Sequence, residues 1–213
     1  IVDKSKSSTH DLEPPTKQGL YLSSPAILSL GFLALIVMGT VLLSLPIATI
    51  QPISILAAAF TATSAVTVTG LNVVDTANYT TFGQLVIAAL IQFGGLGFMT
   101  FAILVLTSLQ GKMGLSGSIT AQEALGTHSN QIGSTAKAVI KIAFITEGLG
   151  FLGLTLLLAP LKGLKDAMYE AFFLCISAFN NAGFALNGNN MTAYVHQPMI
   201  SFIISLLIIT GGI

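Results

Sequence analysis

The stretch that decides the fold is Thr61-Ala-Thr-Ser-Ala-Val-Thr-Val-Thr-Gly-Leu-Asn72, which lies between two long apolar runs. It is too polar and too short to span a bilayer, and it ends in a hydroxyl-rich turn at Gly70. Non-helical backbone at membrane depth is tolerated only where it is buried in protein or lines a water-filled cavity. A short helix that enters the membrane and returns as extended chain presents carbonyl oxygens to a cation. The pattern therefore predicts a re-entrant pore loop.

The amino-acid composition is typical of a membrane protein. Of 213 residues, 53% are hydrophobic and 8% are charged, whereas soluble domains carry about 25% charged residues. The net charge is zero, so nothing in the charge balance favours a nucleic-acid partner. The single cysteine, Cys175, lies in an apolar stretch and is expected to be a buried structural thiol.

Hydropathy predicts an all-α, multi-pass fold. At about 1.5 Å per residue, a run of about 20 apolar residues crosses the hydrocarbon core of a bilayer. Spanning helices are predicted at 26–45, 82–108 and 138–159, and a further span begins at 199–213. Shorter helices, which cannot cross, are predicted at 53–65 and 167–178, with a short loop at 161–166 between the second of them and the span before it.

These elements divide the chain into four segments. They are an N-terminal tail at 1–24, a first helix–pore loop–helix unit at 25–110, a polar loop at 111–137 and a second unit at 138–213, cut short in its last helix. The tail has no apolar run that would indicate a signal peptide. The chain lacks an initiator methionine and stops within an apolar run, so we expect it to be a fragment.

The second unit repeats the first. A shift of 113 residues places Phe60 on Phe173, Ser64 on Ser177, Ala65 on Ala178 and Gly70 on Gly183. The glycine pair 94–95 returns as 211–212, shifted by 117 residues. Because self-similarity on this scale indicates one structural element used twice, a second pore loop is predicted around Gly183.

The two loops have the chemistry of a carbonyl filter for a monovalent cation. Glycine permits the positive φ angles that turn successive carbonyls inward, and the negative end of the preceding short helix favours a cation. Thr67 and Thr69 add hydroxyl groups, and neither loop contains an acidic side chain. The residues expected at the ion are Thr67, Val68, Thr69, Gly70 and Leu71 in one loop and Asn180, Asn181, Ala182, Gly183 and Phe184 in the other.

Two other features leave alternatives open. Glu147 lies inside an apolar run, where a carboxylate is a functional candidate. Lys141 is about two turns away, so a structural or helix-pairing role near the interface is the competing interpretation. The glycines at 94–97 indicate close helix packing, or else a bend or a narrow pore wall.

Other classes of function fit less well. A solute carrier with discontinuous helices would bind its substrate at midplane, and the extended loops carry no charged group to hold one. A membrane enzyme would need clustered catalytic side chains, but the histidines lie far apart in the sequence, at His10, His128 and His196. No Gly-Lys-Ser/Thr phosphate-binding motif occurs.

Four motifs resemble the bacterial Ktr potassium transporters. Residues 60–71, followed by Val74-Asp75-Thr76, resemble the first pore region of that family, and residues 92–100, Gln-Phe-Gly-Gly-Leu-Gly-Phe-Met-Thr, match the helix after it. Residues 122–125, Gln-Glu-Ala-Leu, resemble its cytoplasmic loop, and residues 176–184, Ile-Ser-Ala-Phe-Asn-Asn-Ala-Gly-Phe, its second pore region. The resemblance runs from about residue 23 to residue 213 and indicates the membrane subunit of a Ktr system, within the Trk/Ktr/HKT superfamily.

The resemblance implies properties that composition and spacing do not. It implies four units around one pore, with one filter glycine each, of which Gly70 and Gly183 match the first two. It also implies a homodimer in the bacterial plasma membrane that takes up K⁺, with Na⁺ as an activating ion and no tightly bound cofactor. The implied partner is a cytosolic KtrA/KtrC-like ring of RCK domains, which holds the regulatory nucleotide. The remaining two glycines and the gate loop of the third unit have no counterpart here.

Lysine placement predicts the orientation, because cytoplasmic loops are enriched in basic residues. Lys4, Lys6, Lys17, Lys112, Lys137 and Lys141 fall on one side, and Lys162 and Lys165 on the other. The N-terminus and the 111–137 loop are therefore expected in the cytoplasm, and both pore loops are expected to enter from outside.

Cysteine labelling tests this orientation. A cysteine at Asn78 should react with an impermeant thiol reagent on intact cells, and a cysteine at Thr127 should react only after permeabilisation, because the membrane shields the cytoplasmic loop. Labelling at Thr127 without labelling at Asn78 would reverse the orientation.

Overall fold

The structure is a computed structural model and describes residues 24–112, 128–188 and 190–212. The N-terminal tail and the motif at 122–125 lie outside the described residues. Within the described ranges the regular structure is helical, apart from one isolated antiparallel bridge between Thr49 and Tyr79. The helices are α1 Ser24–Leu43, α2 Ile55–Val66, α3 Thr81–Lys112, α4 His128–Lys162, α5 Leu164–Phe179 and α6 Pro198–Gly212, with 3₁₀ turns at Thr76–Asn78 and Asn190–Tyr194.

The helices form two units of the same construction. The short helix α2 packs between α1 and α3, and the short helix α5 packs between α4 and α6. Helix α3 also packs against α4 and α5 and so joins the units. This arrangement confirms the predicted all-α fold of repeated helix–short helix–helix units.

Local sequence explains where α2 begins and why it lies deep in its unit. The Ser54 hydroxyl caps the helix by accepting a hydrogen bond from the Ala57 amide at 3.2 Å, which satisfies one of the unpaired donors of the first turn. Ala58, Ala62 and Ala65 are fully buried. Because alanine side chains are small, the neighbouring helices approach α2 closely.

Two predicted loops are shorter in the structure than in the sequence interpretation. The loop predicted at 161–166 is wrong, since Gly163 alone separates α4 from α5. Its φ of 84° is one that glycine adopts without strain, so one residue suffices to turn the chain. The loop predicted at 111–137 is too long, because α4 already begins at His128. A helix satisfies its own backbone hydrogen bonds, so it can continue beyond the apolar span.

The surface of the bundle is apolar. By length and composition, Lys137–Lys162 is the one helix among the described residues that is long and apolar enough to cross a bilayer, and Leu28–Leu43, Thr81–Gly97 and Pro198–Gly212 are shorter apolar helices. Leu33, Leu149 and Phe202 are each more than half exposed. An apolar surface of this extent is expected where helices face lipid.

The glycine pairs let a long helix touch the end of a short one. A Cβ atom at Gly94 would overlap the carbonyl oxygen of Val66, the last residue of α2, and a Cβ atom at Gly211 would overlap that of Phe179, the last residue of α5. A Cβ atom at Gly97 would instead lie 3.5 Å from the Phe32 ring of α1. The close packing predicted for the glycines of α3 is therefore confirmed, and for Gly94 its partner is the backbone that leads into the loop.

Alanine substitutions test this close approach. Gly94→Ala and Gly211→Ala should lower the amount of folded protein in the membrane several-fold, because a clash with backbone cannot be relieved by a rotamer change and overpacking costs about 1–3 kcal/mol. Gly31→Ala on α1 is the matched control, since a Cβ atom there meets nothing within 4 Å. Quantitative immunoblotting of membranes measures the effect, and equal amounts of all three variants would contradict the packing argument.

Candidate functional site

The chain leaves helical geometry just after each short helix, and it does so in the same way. The first loop, residues 67–71, follows α2, and the second loop, residues 180–184, follows α5. In the first loop φ is 55° at Val68 and 79° at Gly70, and in the second φ is 58° at Asn181 and 72° at Gly183. The shift of 113 residues found in the sequence therefore also relates the positive φ angles.

The positive φ at Val68 is unusual. A β-branched side chain is rarely found in this region, because its branches crowd the backbone, and such a residue costs about 1–3 kcal/mol. Asparagine tolerates the left-handed region better than most residues, so Asn181 is the less strained of the pair. Strain of this kind persists only where the surroundings impose it.

Backbone hydrogen bonds impose the same path on both loops. The Thr69 amide donates to the Ser64 carbonyl at 2.9 Å, and the equivalent Ala182 amide donates to the Ser177 carbonyl at 2.7 Å. The Val68 amide donates to the Ala65 carbonyl at 3.3 Å. In the second loop the Asn181 amide likewise donates to the Ala178 carbonyl at 3.0 Å. Each loop is therefore folded back onto the last turn of its own short helix.

A buried serine in each short helix adds a second tie. The Ser64 hydroxyl accepts a hydrogen bond from the Leu71 amide at 2.9 Å. The Ser177 hydroxyl donates to the Phe184 carbonyl at 2.6 Å. Ser64 and Ser177 are equivalent under the repeat, and so are Leu71 and Phe184. The serines therefore close both loops over the same number of residues.

The two loops meet at their glycines. A Cβ atom placed on Gly70 would lie 2.7 Å from the carbonyl oxygen of Ala182 and 3.3 Å from the Cα atom of Gly183. A Cβ atom on Gly183 would lie 3.4 Å from the Cα atom of Gly70. The structure thus brings together the two glycines that the sequence interpretation singled out, at a contact where a side chain would meet backbone.

The side chains of the loops differ more than their backbones. The hydroxyl of Thr67 bonds the Thr63 carbonyl at 2.8 Å and the Thr69 hydroxyl at 2.7 Å, and both threonines are exposed. In the second loop the equivalent of Thr67 is Asn180, which is 5% exposed. The first loop therefore holds its hydroxyls locally, whereas the second loop begins with a buried amide.

Glu147 connects α4 to the second loop. Its carboxylate accepts hydrogen bonds from Nε2 of Gln92 at 3.0 and 3.2 Å. Oε1 of Gln92 accepts a hydrogen bond from Nδ2 of Asn180 at 3.0 Å. The helix-pairing role weighed for Glu147 is confirmed, because Gln92 lies on α3. Through Gln92 the carboxylate is also linked to Asn180, the first residue of the second loop. Sequence interpretation gave Gln92 no role, although an uncharged polar residue in an apolar run was a usable signal.

A second polar network fixes the chain that follows the second loop. Glu170 of α5 accepts hydrogen bonds from Lys162 at 2.6 Å, from Asn187 at 2.8 Å and from the hydroxyl of Tyr194. Burial and the hydrogen bond to Glu170 raise the pKa of Tyr194 above its ordinary value, so the phenol stays protonated at neutral pH and donates this hydrogen bond. The network ties the segment after the second loop to the junction of α4 and α5.

The cysteine and the histidines considered in the sequence analysis lie outside the two loops. Cys175 is a free thiol with 2% exposure, which confirms the predicted buried cysteine. His196 is exposed at the surface. His10 and the side chain of His128 lie outside the described residues.

Comparison with known protein families decides the class of the chain. Residues 23–213 match the family model TrkH, described as cation transport protein. The chain belongs to this family of cation transport proteins. Membership confirms the prediction of a membrane transport protein rather than an enzyme.

Three curated relatives agree with this family. Ktr system potassium uptake protein B of Bacillus subtilis is 46% identical over 192 residues, which are 89% of this chain and 43% of the relative. The protein of the same name from Vibrio alginolyticus is 39% identical over 191 residues, 89% of this chain and 42% of the relative. Potassium/sodium uptake protein NtpJ of Enterococcus hirae is 35% identical over 198 residues, 90% of this chain and 44% of the relative. The resemblance to the Ktr membrane subunit is thus confirmed, and the chain spans less than half the length of these relatives.

Proposed function

We propose that the full-length protein takes up K⁺ across the bacterial plasma membrane and selects it with carbonyl oxygens of the first and second loops. The observation that carries this proposal is the repeated backbone geometry, with positive φ at Val68 and Gly70 and again at Asn181 and Gly183. Potassium as the ion is supported by the relatives, two of which are named potassium uptake proteins of the Ktr system. The proposed ion-binding residues are those of the two loops, 67–71 and 180–184.

The chemistry of this site is the replacement of the cation's hydration water by protein oxygens. Backbone oxygens replace the hydration shell, and the number and orientation of these oxygens decide which ion is favoured. The first three amides of each loop bond back to α2 or α5, so this part of the backbone is held before the ion arrives. The C-terminal ends of α2 and α5 lead into the loops and add partial negative charge.

Further features of the full-length protein rest on the resemblance. We propose that two more units complete the ring, that the protein is a homodimer with its N-terminus in the cytoplasm, and that Na⁺ activates uptake. The Na⁺ proposal is supported by the name of the Enterococcus relative, a potassium/sodium uptake protein. Potassium uptake that is equally fast with and without external Na⁺ would remove this part of the proposal.

A solute carrier with discontinuous helices is the alternative function. Such a carrier also uses half-helix ends at midplane. It would bind a solute through polar side chains, whereas the contact between the two loops here is backbone against backbone at Gly70 and Gly183. Substitutions at these two glycines therefore separate the alternatives.

Serine substitutions test the filter proposal. Gly70→Ser and Gly183→Ser in the full-length transporter should weaken the preference for K⁺ over Na⁺ and raise the apparent KM for K⁺. A left-handed residue with a side chain costs roughly 1–2 kcal/mol, and 1.4 kcal/mol is a factor of about ten in affinity. The measurement is uptake of K⁺ or Rb⁺ against Na⁺ competition in cells that lack other uptake systems.

Gly97→Ser is the matched control for these variants. Gly97 lies on α3 against Phe32, so its substitution should lower abundance or rate more than selectivity. If both loop variants are made in normal amounts and keep the wild-type preference for K⁺ over Na⁺, the filter proposal is wrong.

A soluble partner is the last part of the proposal. The protein names of two relatives refer to a Ktr system, and a KtrA/KtrC-like ring of RCK domains is the partner that the resemblance implies, with nucleotide bound to the ring. Affinity purification of the full-length protein from its native membrane should recover a nucleotide-binding ring, and adding that ring should change the uptake rate in proteoliposomes. Purification without any such partner, with equal transport in its absence, would refute this part.

A further inference from the structure

Three hydrogen-bonded side chains, the buried Glu147 and Asn180 and the half-buried Gln92, connect the second loop to the two long helices beside it. Glu147 on α4 is 7% exposed, and Gln92 on α3 donates to both of its oxygens. Asn180, the first residue of the second loop, donates from Nδ2 to Oε1 of Gln92 at 3.0 Å and to the carbonyl of Ile176 at 2.9 Å. Three helices and the loop are thus joined through three polar side chains.

The surroundings make these hydrogen bonds strong. Glu147 and Gln92 lie at the wall of a cavity of about 460 Å³. Most of the other lining residues are apolar, among them Leu85, Ala88, Phe93, Phe144, Phe151 and Phe172. Hydrogen bonds gain strength where the local dielectric is low, and a buried polar group without its partner is costly.

The Glu147 carboxylate sets the donor-to-acceptor direction of these hydrogen bonds. An ionised carboxylate only accepts hydrogen bonds, whereas an amide side chain has a donor end and an acceptor end. Both oxygens of Glu147 accept from Gln92, so Gln92 turns its NH₂ group toward Glu147 and its oxygen toward Asn180. The Asn180 amide group is then held in one orientation at the start of the second loop.

The first loop has no equivalent arrangement at the corresponding position. Thr67, which the repeat places on Asn180, bonds the carbonyl of Thr63 and the hydroxyl of Thr69. These partners belong to the same unit and lie within four residues of Thr67. Asn180 makes the same kind of local bond, to the Ile176 carbonyl four residues back, and adds to it the bond to Gln92 of the other unit.

We propose that Glu147 is a positioning residue for ion selection: acting through Gln92 and Asn180, its carboxylate fixes the orientation of the second loop. The proposal rests on the proposed function, because it takes the second loop to be part of the selectivity filter. It assigns a transport role to a carboxylate that lies outside the two loops.

Exchange of the two polar side chains tests this role in the full-length transporter. Gln92→Glu should lower the preference for K⁺ over Na⁺ by about fivefold, in the range expected for one lost buried hydrogen bond, because two carboxylates then face each other. The double variant Gln92→Glu with Glu147→Gln should restore it, since the new glutamate accepts from both the new glutamine and Asn180. Glu147→Gln alone should lower the preference less than Gln92→Glu does, because its amide oxygen can still accept from Gln92 although its NH₂ end no longer fixes the direction of the hydrogen bonds.

Truncation separates positioning from general stability. Glu147→Leu should lower the K⁺ preference as Gln92→Glu does, measured as Rb⁺ uptake against Na⁺ competition and normalised to the amount of protein in the membrane. Thr155→Val is the control, because Thr155 is buried on the same helix and its hydroxyl has no hydrogen-bond partner among the described residues. This control should keep the wild-type preference.

The outcomes distinguish this proposal from the filter proposal. Gly183→Ser is measured alongside, and if it leaves the preference unchanged, the filter assignment itself fails. If Gly183→Ser changes the preference while Glu147→Leu, made in normal amount, does not, the positioning role is wrong. If Glu147→Leu does not accumulate in the membrane, the exchange of Gln92 and Glu147 decides. A double variant whose preference for K⁺ over Na⁺ is no higher than that of Gln92→Glu overturns the proposal.

Discussion

The structure depends on one constraint, that backbone groups at membrane depth need hydrogen-bond partners within the protein. An unpaired group in hydrocarbon costs several kcal/mol. Each loop meets this constraint in the same way, because the amides of Val68 and Thr69, and of Asn181 and Ala182, return to the last turn of the preceding helix. The first three amides of each loop thus bond to the preceding short helix, which leaves the carbonyl oxygens of the loop to be offered to an ion.

The long helices are shaped by this requirement. A helix can shield the end of α2 or α5 only if it approaches the backbone there, and glycine is the residue that permits such an approach. Gly94 and Gly211 occupy these two contacts. The strained φ of Val68 is then a consequence of surroundings that leave the loop a single path. In each unit, the close packing of the long helix and the geometry of the loop therefore depend on the same contact.

Local pattern was sufficient to predict the repeat, the two short helices and the glycines that meet between the loops. These features follow from hydropathy, spacing and the conformational freedom of glycine, all of which are written in short stretches of sequence. The positive φ of Val68 was not predictable, because valine disfavours it and tertiary contacts override that preference. The pairing of Glu147 with Gln92 could also not be predicted from the sequence. These residues lie 55 positions apart, and their contact depends on how α3 and α4 are rotated about their axes.

The two loops show that backbone geometry, rather than side-chain identity, is what the repeat preserves. An ion that binds carbonyl oxygens is indifferent to the side chains that hold them, so Thr67 and Asn180 can differ while the φ angles agree. The side-chain hydrogen bonds at Thr67 and Asn180 differ in how far they depend on packing between the two units. The Thr67 hydroxyl bonds within its own unit, whereas Asn180 bonds both the Ile176 carbonyl of its own helix and Gln92 of the other unit. Order in the second loop is therefore coupled to the packing of the two units, and a change at their interface acts on one loop more than on the other.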